Sequence, residues 1–280
     1  MRRQQFDLRQ LLQAKVHWIS AYNTGSTRGN INAQTLASMP IQLPPRNVQD
    51  KVVAVFDSLE KERRNIQKIS ENLQQQAIAI YDSMFRKSDG AKMTAGTLKD
   101  IAEITMGQSP NGSSYNEDGI GEVFYQGRAE FGFRFPNRRL YTTEPKRIAN
   151  AGDILLSVRA PVGDLNVAYE RCCIGRGLGA IHSRSGHSSF LLYTMFSLQP
   201  QLDVFNGEGT VFGSINRNAL NDIPIQIPSQ TSIEGFERTV RPMDDLIRTN
   251  YKENCSLQAL RDSLLPRLLS GEIDASNIVL

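Results

Sequence analysis

Part of this 280-residue chain is written twice. The run GSTRGNINAQTLASMPIQLP, from Gly25 to Pro44, returns as GTVFGSINRNALNDIPIQIP, from Gly209 to Pro228, an offset of 184 residues. Gly25, Gly29, Ile31, Asn32, Leu36, Pro40, Ile41, Gln42 and Pro44 each meet the same residue type in the second copy. The register reaches back to Phe6 against Phe190 and Leu8 against Leu192. It runs forward through Arg64 and Arg248, Lys68 and Lys252, and Leu73 and Leu257. A repeat this long means two copies of one structural unit. The second copy is whole and the first lacks its front, so residues 1–45 are expected to be the closing remnant of a first unit.

After Pro44-Pro45 the pattern becomes a heptad seam. Val48, Val52, Val55, Leu59, Glu62, Ile66, Ile69, Leu73, Gln76, Ile80 and Met84 step by four and three, with two polar insertions. Bounded by the diproline and by Ser88-Asp89-Gly90, this predicts one helix of about forty residues within 46–90, about 60 Å long at ~1.5 Å per residue. Such a helix needs a partner for its stripe. Phe236, Val240, Met243, Ile247, Asn254, Leu257, Leu260, Leu264 and Leu268 supply one with the same spacing, over 230–272. Pro242 is expected to kink that helix or delay its start, and Pro266 to disturb its last turns. An antiparallel two-helix coiled coil within the chain is the expectation, against two ordinary core helices. Val52, Leu59, Ile66, Leu73, Ile80, Val240, Ile247, Leu257 and Leu264 are its candidate partner-binding positions.

Between the helices, residues 95–229 form the whole copy of the unit. Ile101–Ile104, Val123–Tyr125, Ile154–Val158 and Leu165–Tyr169 read as strands between clusters of Gly, Pro, Asn and Asp. Leu8, Leu11, Leu12, Val16 and Ile19 predict a short amphipathic helix over 6–20. Leu192, Met195 and Phe196 predict its counterpart over 189–202, ended by Gln199-Pro200. The fold class expected is α+β: one complete α/β domain with a curved sheet, two long flanking helices, and an N-terminal partial repeat.

Composition excludes more than it selects. Apolar residues make up 40% and charged residues 22%, ordinary for a soluble globular protein. No run approaches the ~20 apolar residues of a membrane span, and the basic start is not followed by an apolar signal core, so a cytoplasmic location is expected. Cys172, Cys173 and Cys255 have neither disulfide nor zinc spacing. The net charge of +3 neither demands nor forbids nucleic acid.

Catalytic signatures are sparse. No phosphate-loop motif or His/Cys metal cluster occurs, the histidines being His17, His182 and His187. Gly175-Arg176-Gly177-Leu178-Gly179 is not followed by a helix that could hold pyrophosphate, and reads instead as tight turns around an exposed arginine. Glu144-Pro145-Lys146 has the residues of a nuclease Glu-x-Lys, but a proline stands in the middle and Tyr141-Thr142-Thr143 reads as a loop. No catalytic residue, metal or cofactor is therefore assigned to this chain.

DNA binding is the reading the residues favour. Arginine bonds guanine through two edges and glutamine or asparagine bonds adenine likewise. Gln126 and Arg128 follow a strand, Ser157 and Arg159 lie at alternate positions on and after another, and glycines frame Arg176, so that its backbone can approach a partner. With Thr210 and Asn216 these are candidate DNA-binding residues, Arg159 and Arg176 being the candidates for base contacts. Arg138, Arg139 and Lys146, in the basic run 134–147, are candidate phosphate contacts. Salt bridging at the surface is the alternative for each.

Several stretches, taken in order with the repeat, resemble the specificity subunit (HsdS) of type I restriction–modification systems. They are Met106–Pro110, Gly152–Arg159, Gly209-Thr210 leading to Ile215-Asn216, Ile223–Pro228 and Leu264–Glu272. The resemblance implies a non-catalytic DNA-recognition subunit that reads half of a split target in the major groove. It implies docking of the HsdM methyltransferase subunit, which binds S-adenosylmethionine, and of the HsdR restriction subunit, with ATP and magnesium also on partners. A full family member has two recognition domains. The missing one is expected from a homodimer or from a complementing HsdS fragment. A coiled-coil scaffold without DNA specificity is the alternative, and a small metal-dependent nuclease the least favoured.

Overall fold

The structure, a computed structural model, describes residues 34, 38, 45–86, 93–206, 213–269 and 272–273. Most of the N-terminal partial repeat, its expected helix over 6–20, the Ser88-Asp89-Gly90 stop and Thr210 lie outside the described residues. By contacts the chain divides into two compact units, Met1–Ile69 with Asn250–Leu280, and Ser70–Thr249. Two long helices contribute to both: α1, Arg46–Tyr81, and α6, Gln230–Leu269.

In the first unit α1 and α6 pair through Val52, Phe56, Leu265 and Leu268, with Val48, Leu59 and Leu264 packed alongside. Glu60 bonds Arg261 and Arg63 bonds Gln258, so one chain number rises as the other falls. In the second unit Tyr81 meets Phe236 edge to face at 5.6 Å, while Arg134 joins Gln74 to Asp244. Both units thus pair the helices antiparallel.

The seam on α1 corrects the heptad reading at alternate positions. Val52, Ile66 and the half-buried Leu59 and Leu73 are on it, as expected. Phe56, Arg63, Ser70 and Ala77 occupy the places expected for Val55, Glu62, Ile69 and Gln76, Ile69 is 48% exposed, and Ile80 packs beside Tyr81 on the core of the helix pair as expected. On α6 Leu260 is 44% exposed and Arg261 faces the partner helix instead. Among the α1 residues that take over, Arg63, Ser70 and Ala77 are polar or small, so apolar residue type misleads the count. Pro242 does not end the helix. It lies on the exposed side of a continuous 40-residue α6, where proline removes one backbone donor and the turns around it hold. The helix likewise continues past Pro266 to Leu269.

The β structure divides into three sheets rather than one. A ribbon pairs β1 (Met93–Thr97) with β11 (Pro224–Pro228), Gly96 opposite Ile225. A four-stranded antiparallel sheet has β2 (Ala102–Met106), β10 (Leu178–Ser183), β7 (Ile154–Ser157) and β8 (Leu165–Val167) in that spatial order. A five-stranded sheet orders β3 (Tyr115–Asn116), β5 (Leu140–Thr142), β4 (Glu122–Tyr125), β9 (Cys172–Ile174) and β6 (Ile148–Ala149). Within it β4 and β9 run parallel. Tyr141 and Thr142, expected in a loop, belong to β5. The helix α2 (Leu98–Ile101) takes the first residue expected of strand β2.

One core joins the two larger sheets: Val123, Tyr125, Ala149, Cys172 and Ile174 from one, Leu155, Leu178 and Ala180 from the other. Burial on both faces explains why β7 reads as an unbroken apolar run rather than an alternating one. Burial also pushes the Cys172 thiol up to about 12, so it packs as a small apolar group. The helix α3 (Ser188–Ser197) is enclosed rather than amphipathic, with Ser189 to Met195 all buried. Phe190 and Tyr193 pack on the helix pair. The Glu237 carboxylate of α6 accepts from the amides of Ser189 and Phe190, satisfying donors that the first turn of α3 leaves open. Gln199-Pro200 ends α3 as expected and also begins α4 (Gln199–Asp203), whose first turn tolerates the proline.

Candidate nucleic-acid interface

Five loops meet at one end of the two larger sheets, knitted together largely backbone to backbone. The Gly107 amide donates to Leu178 and that of Gln108 to Ile174, while Ser109 Oγ accepts the Arg176 amide at 3.2 Å. The turn at Arg176 closes with Leu178 N–H donating to Gly175 O at 3.0 Å. Gly177 N–H donates to Gln126 O, and Gly177 O accepts from Val158. Val158 O in turn accepts from Ile215, beside an isolated antiparallel bridge between Arg159 and Ser214. A continuous ridge results, exposing Gln108, Gln126, Arg159, Arg176, Ser214 and Asn216. Asn216 caps α5 (Arg217–Asn221) through its Oδ1, which leaves its amide NH₂ to donate outward.

The glycines of this ridge serve the chain rather than a ligand. A Cβ on Gly107 would lie 2.1 Å from Gly175 O. One on Gly175 would lie 2.8 Å from Gln126 Cα, and one on Gly177 2.8 Å from Gln126 O. Only glycine lets these loops stack so closely, and that stacking holds Arg176 and Gln126 side by side.

The candidates sort by charge. Arg159 and Arg176 are exposed and make no ion pair with any described residue. Arg128 pairs with Asp164, Arg138 with Glu170, and Arg139 with Glu130 and Glu117. Arg171 pairs with Glu122. Burial draws the Arg138 guanidinium down, but the Glu170 carboxylate outweighs it and holds the proton more tightly. Lys146 is exposed in the loop after β5, again with no ion pair to a described residue. The basic run 134–147 is therefore largely neutralised by neighbours that its linear sequence does not reveal. Ser157, expected on an exposed face, is 2% exposed. Its hydroxyl sits between the carbonyls of Arg159 and Pro161 and shapes the turn that presents Arg159.

Arg134 departs furthest from expectation. It is 4% exposed and points away from the ridge, into the helix pair. Arg184 likewise bonds the carbonyls of Lys99 and Ala102. The nine candidate partner-binding positions are buried or half-buried, and Val52, Leu59, Ile80, Val240 and Leu264 pack in the cores that join α1 to α6. Sequence reasoning misses Gln108 as a ridge residue. Its turn is visible in Gly107–Pro110, but its place beside Arg176 comes from a pairing 67 residues away, between Ser109 and Arg176.

Residues 4–75 and 91–254 match the family described as type I restriction modification DNA specificity domain, so this chain belongs to that family. It is 32% identical over 264 residues to a putative type I restriction enzyme MjaX specificity subunit of Methanocaldococcus jannaschii, covering 88% of this chain and 62% of the relative. It is 26% identical over 196 residues to the HindI specificity subunit of Haemophilus influenzae, covering 63% and 40%. The chain thus spans about three fifths or less of these relatives. Among solved structures, the HsdS subunit from Thermoanaerobacter tengcongensis matches with a TM-score of 0.50 and 26% identity, over 94% of this chain and 69% of that one. The S subunit from M. genitalium matches with a TM-score of 0.58 at 17% identity, over 93% and 71%, a likeness of fold.

Proposed function

We propose that this chain is a sequence-specific DNA-recognition subunit of a type I restriction–modification assembly, with the domain over 95–229 reading one half-site through the ridge. The observation that carries this is the exposure of two uncompensated arginines, Arg159 and Arg176, on loops fixed by backbone hydrogen bonds, beside two glutamines. Guanidinium and amide groups carried on a fixed backbone suit base edges in a major groove. Neighbouring arginines are held by carboxylates, which leaves these two as the free cations among the described residues of the ridge. Lys146 adds a phosphate contact at the flank. The chain itself supplies no chemistry in this reading. S-adenosylmethionine, ATP and magnesium act on the HsdM and HsdR partners, in the cytoplasm.

The test is selection of duplexes from a random-sequence pool by the purified chain, followed by titration of the enriched duplex and a scrambled one over a range of salt. Preference for the enriched duplex supports the reading. Equal, steeply salt-dependent affinity for both removes sequence recognition, and no binding to either leaves the coiled-coil scaffold.

A further inference from the structure

An acid–amide pair occurs twice on the helices, once in each unit. The 184-residue repeat sets Glu60 against Asp244 and Gln258 against Gln74. In the unit holding Glu60 and Gln258, the helices supply their own cations: Arg63 bonds both, at 2.9 and 3.3 Å, and Arg261 bonds Glu60 at 2.8 Å. The repeat places Ile247 where Arg63 stands and Ala77 where Arg261 stands. Around Asp244 and Gln74 those two positions therefore bring no charge.

The guanidinium there comes from the recognition domain. Arg134 donates to Asp244 at 2.9 Å, Gln74 at 3.2 Å and the Tyr193 hydroxyl at 3.1 Å, and its carbon lies 5.8 Å above the Tyr193 ring and 5.9 Å above that of Phe196. One planar side chain so grips α1, α3 and α6. Its own segment is braced on the sheet, since Arg134 O accepts from Val167 and Gly132 O from Asn166 Nδ2. The same segment begins at the ridge, at Gly127 and Arg128. Beside it Arg248 of α6 lies over the Tyr169 ring at 4.4 Å and donates to its carbonyl.

We propose that Arg134 is a positioning residue that fixes the angle of the reading ridge to the helix pair within Ser70–Thr249. A guanidinium with three acceptors on three helices allows one orientation, whereas apolar packing alone tolerates sliding. The functional meaning of that angle rests on the DNA-reading proposal above: it sets the direction in which the helices leave the DNA.

Spin labels at Gln76→Cys on α1 and Glu103→Cys on β2, both exposed, with Cys255→Ser, report the distance between helix pair and sheet. Arg134→Met and Asp244→Leu should each lower the melting temperature by stranding a charged partner. Together they should restore most of it, because both charges leave at once. The distance distribution of the double variant should nevertheless be broader than the parent's. A parent-like width at parent-like melting temperature overturns the proposal. If the double variant does not fold, Arg134→Lys decides, since it keeps the charge but cannot span three acceptors: broadening is expected, and a parent-like width overturns the proposal. Affinity of the folded variant for the duplex selected by the parent should stay within roughly twofold, the sites being distant. A tenfold loss would mean that Arg134 acts on the ridge itself, and the positioning role fails. A parent that selects no duplex sinks the DNA-reading proposal while the distance measurement still decides Arg134.

Discussion

Arg159, Arg176 and Lys146 share a charge but not a setting. The first two stand on the ridge, and Lys146 lies apart from it in the loop after β5. Replacing Arg159 or Arg176 by Ala should cost about 1–3 kcal/mol on the selected duplex and relax one base pair of the preference. Lys146→Ala should weaken selected and scrambled duplexes alike and lower the salt slope by about one. Titrations of the three variants on both duplexes check the division, and equal losses on both for Arg159 and Arg176 would reassign them to phosphate. Gly107 tests the ridge from within. With Gly175 O 2.1 Å from its missing Cβ, Gly107→Ala must push the two loops apart. A loss of about 1–3 kcal/mol is expected in denaturant unfolding, as for other overpacked sites. An unchanged midpoint would show that the loops part freely.

At the scale of the helices, the seam makes Ile66 and Ile69 a controlled pair. Ile66 is 4% exposed and Ile69 48%, although both fall on the apolar heptad count. Ile66→Asp should cost several kcal/mol, the penalty of a buried unpaired carboxylate, while Ile69→Asp should stay within about 0.5 kcal/mol. Equal effects in chemical denaturation would restore the seam as the heptad spacing alone drew it. Glu60 adds a pH dependence to the same unit. Burial raises its pKa, but hydrogen bonds from Arg261 and Arg63 outweigh this and hold it below 4.5. A carboxyl depressed on folding contributes stability that is present above its unfolded value and lost as pH falls through its folded one. Stability should therefore drop below about pH 4.5, and Glu60→Gln should flatten that part of the profile. Parallel acid limbs in parent and variant would show that the arginines do not hold it.

In the proposed function, the molecule as a whole recognises DNA and leaves the reaction to others. The purified chain, mixed with S-adenosylmethionine, ATP, magnesium and its selected duplex, should neither methylate nor cut it. Stoichiometric product from the chain alone would falsify the division of labour. No helix among the described residues is long and apolar enough to cross a membrane.

Local order is legible in the residues themselves. The 184-residue repeat announces two copies of one unit. Heptad spacing announces two long helices, and the Gly and Pro punctuation announces β7 and β8 because turn chemistry is local. Arg159 and Arg176 stand out because glycines and strand ends mark exposed turns. What stays hidden depends on contacts between residues distant in the chain. Arg134 looks like its neighbours Arg138 and Arg139 in one dimension, yet it enters the helix pair because Gln74 and Asp244, 60 and 110 residues away, wait for it there. Ser157 is buried by the turn that follows it. Ala77 displaces Gln76 from the seam, and Arg261 displaces Leu260, since the face a helix buries is chosen by its partner's side chains as well as its own. A spacing rule sees one helix at a time, and the charge on a surface arginine is settled by whichever carboxylate folding brings beside it.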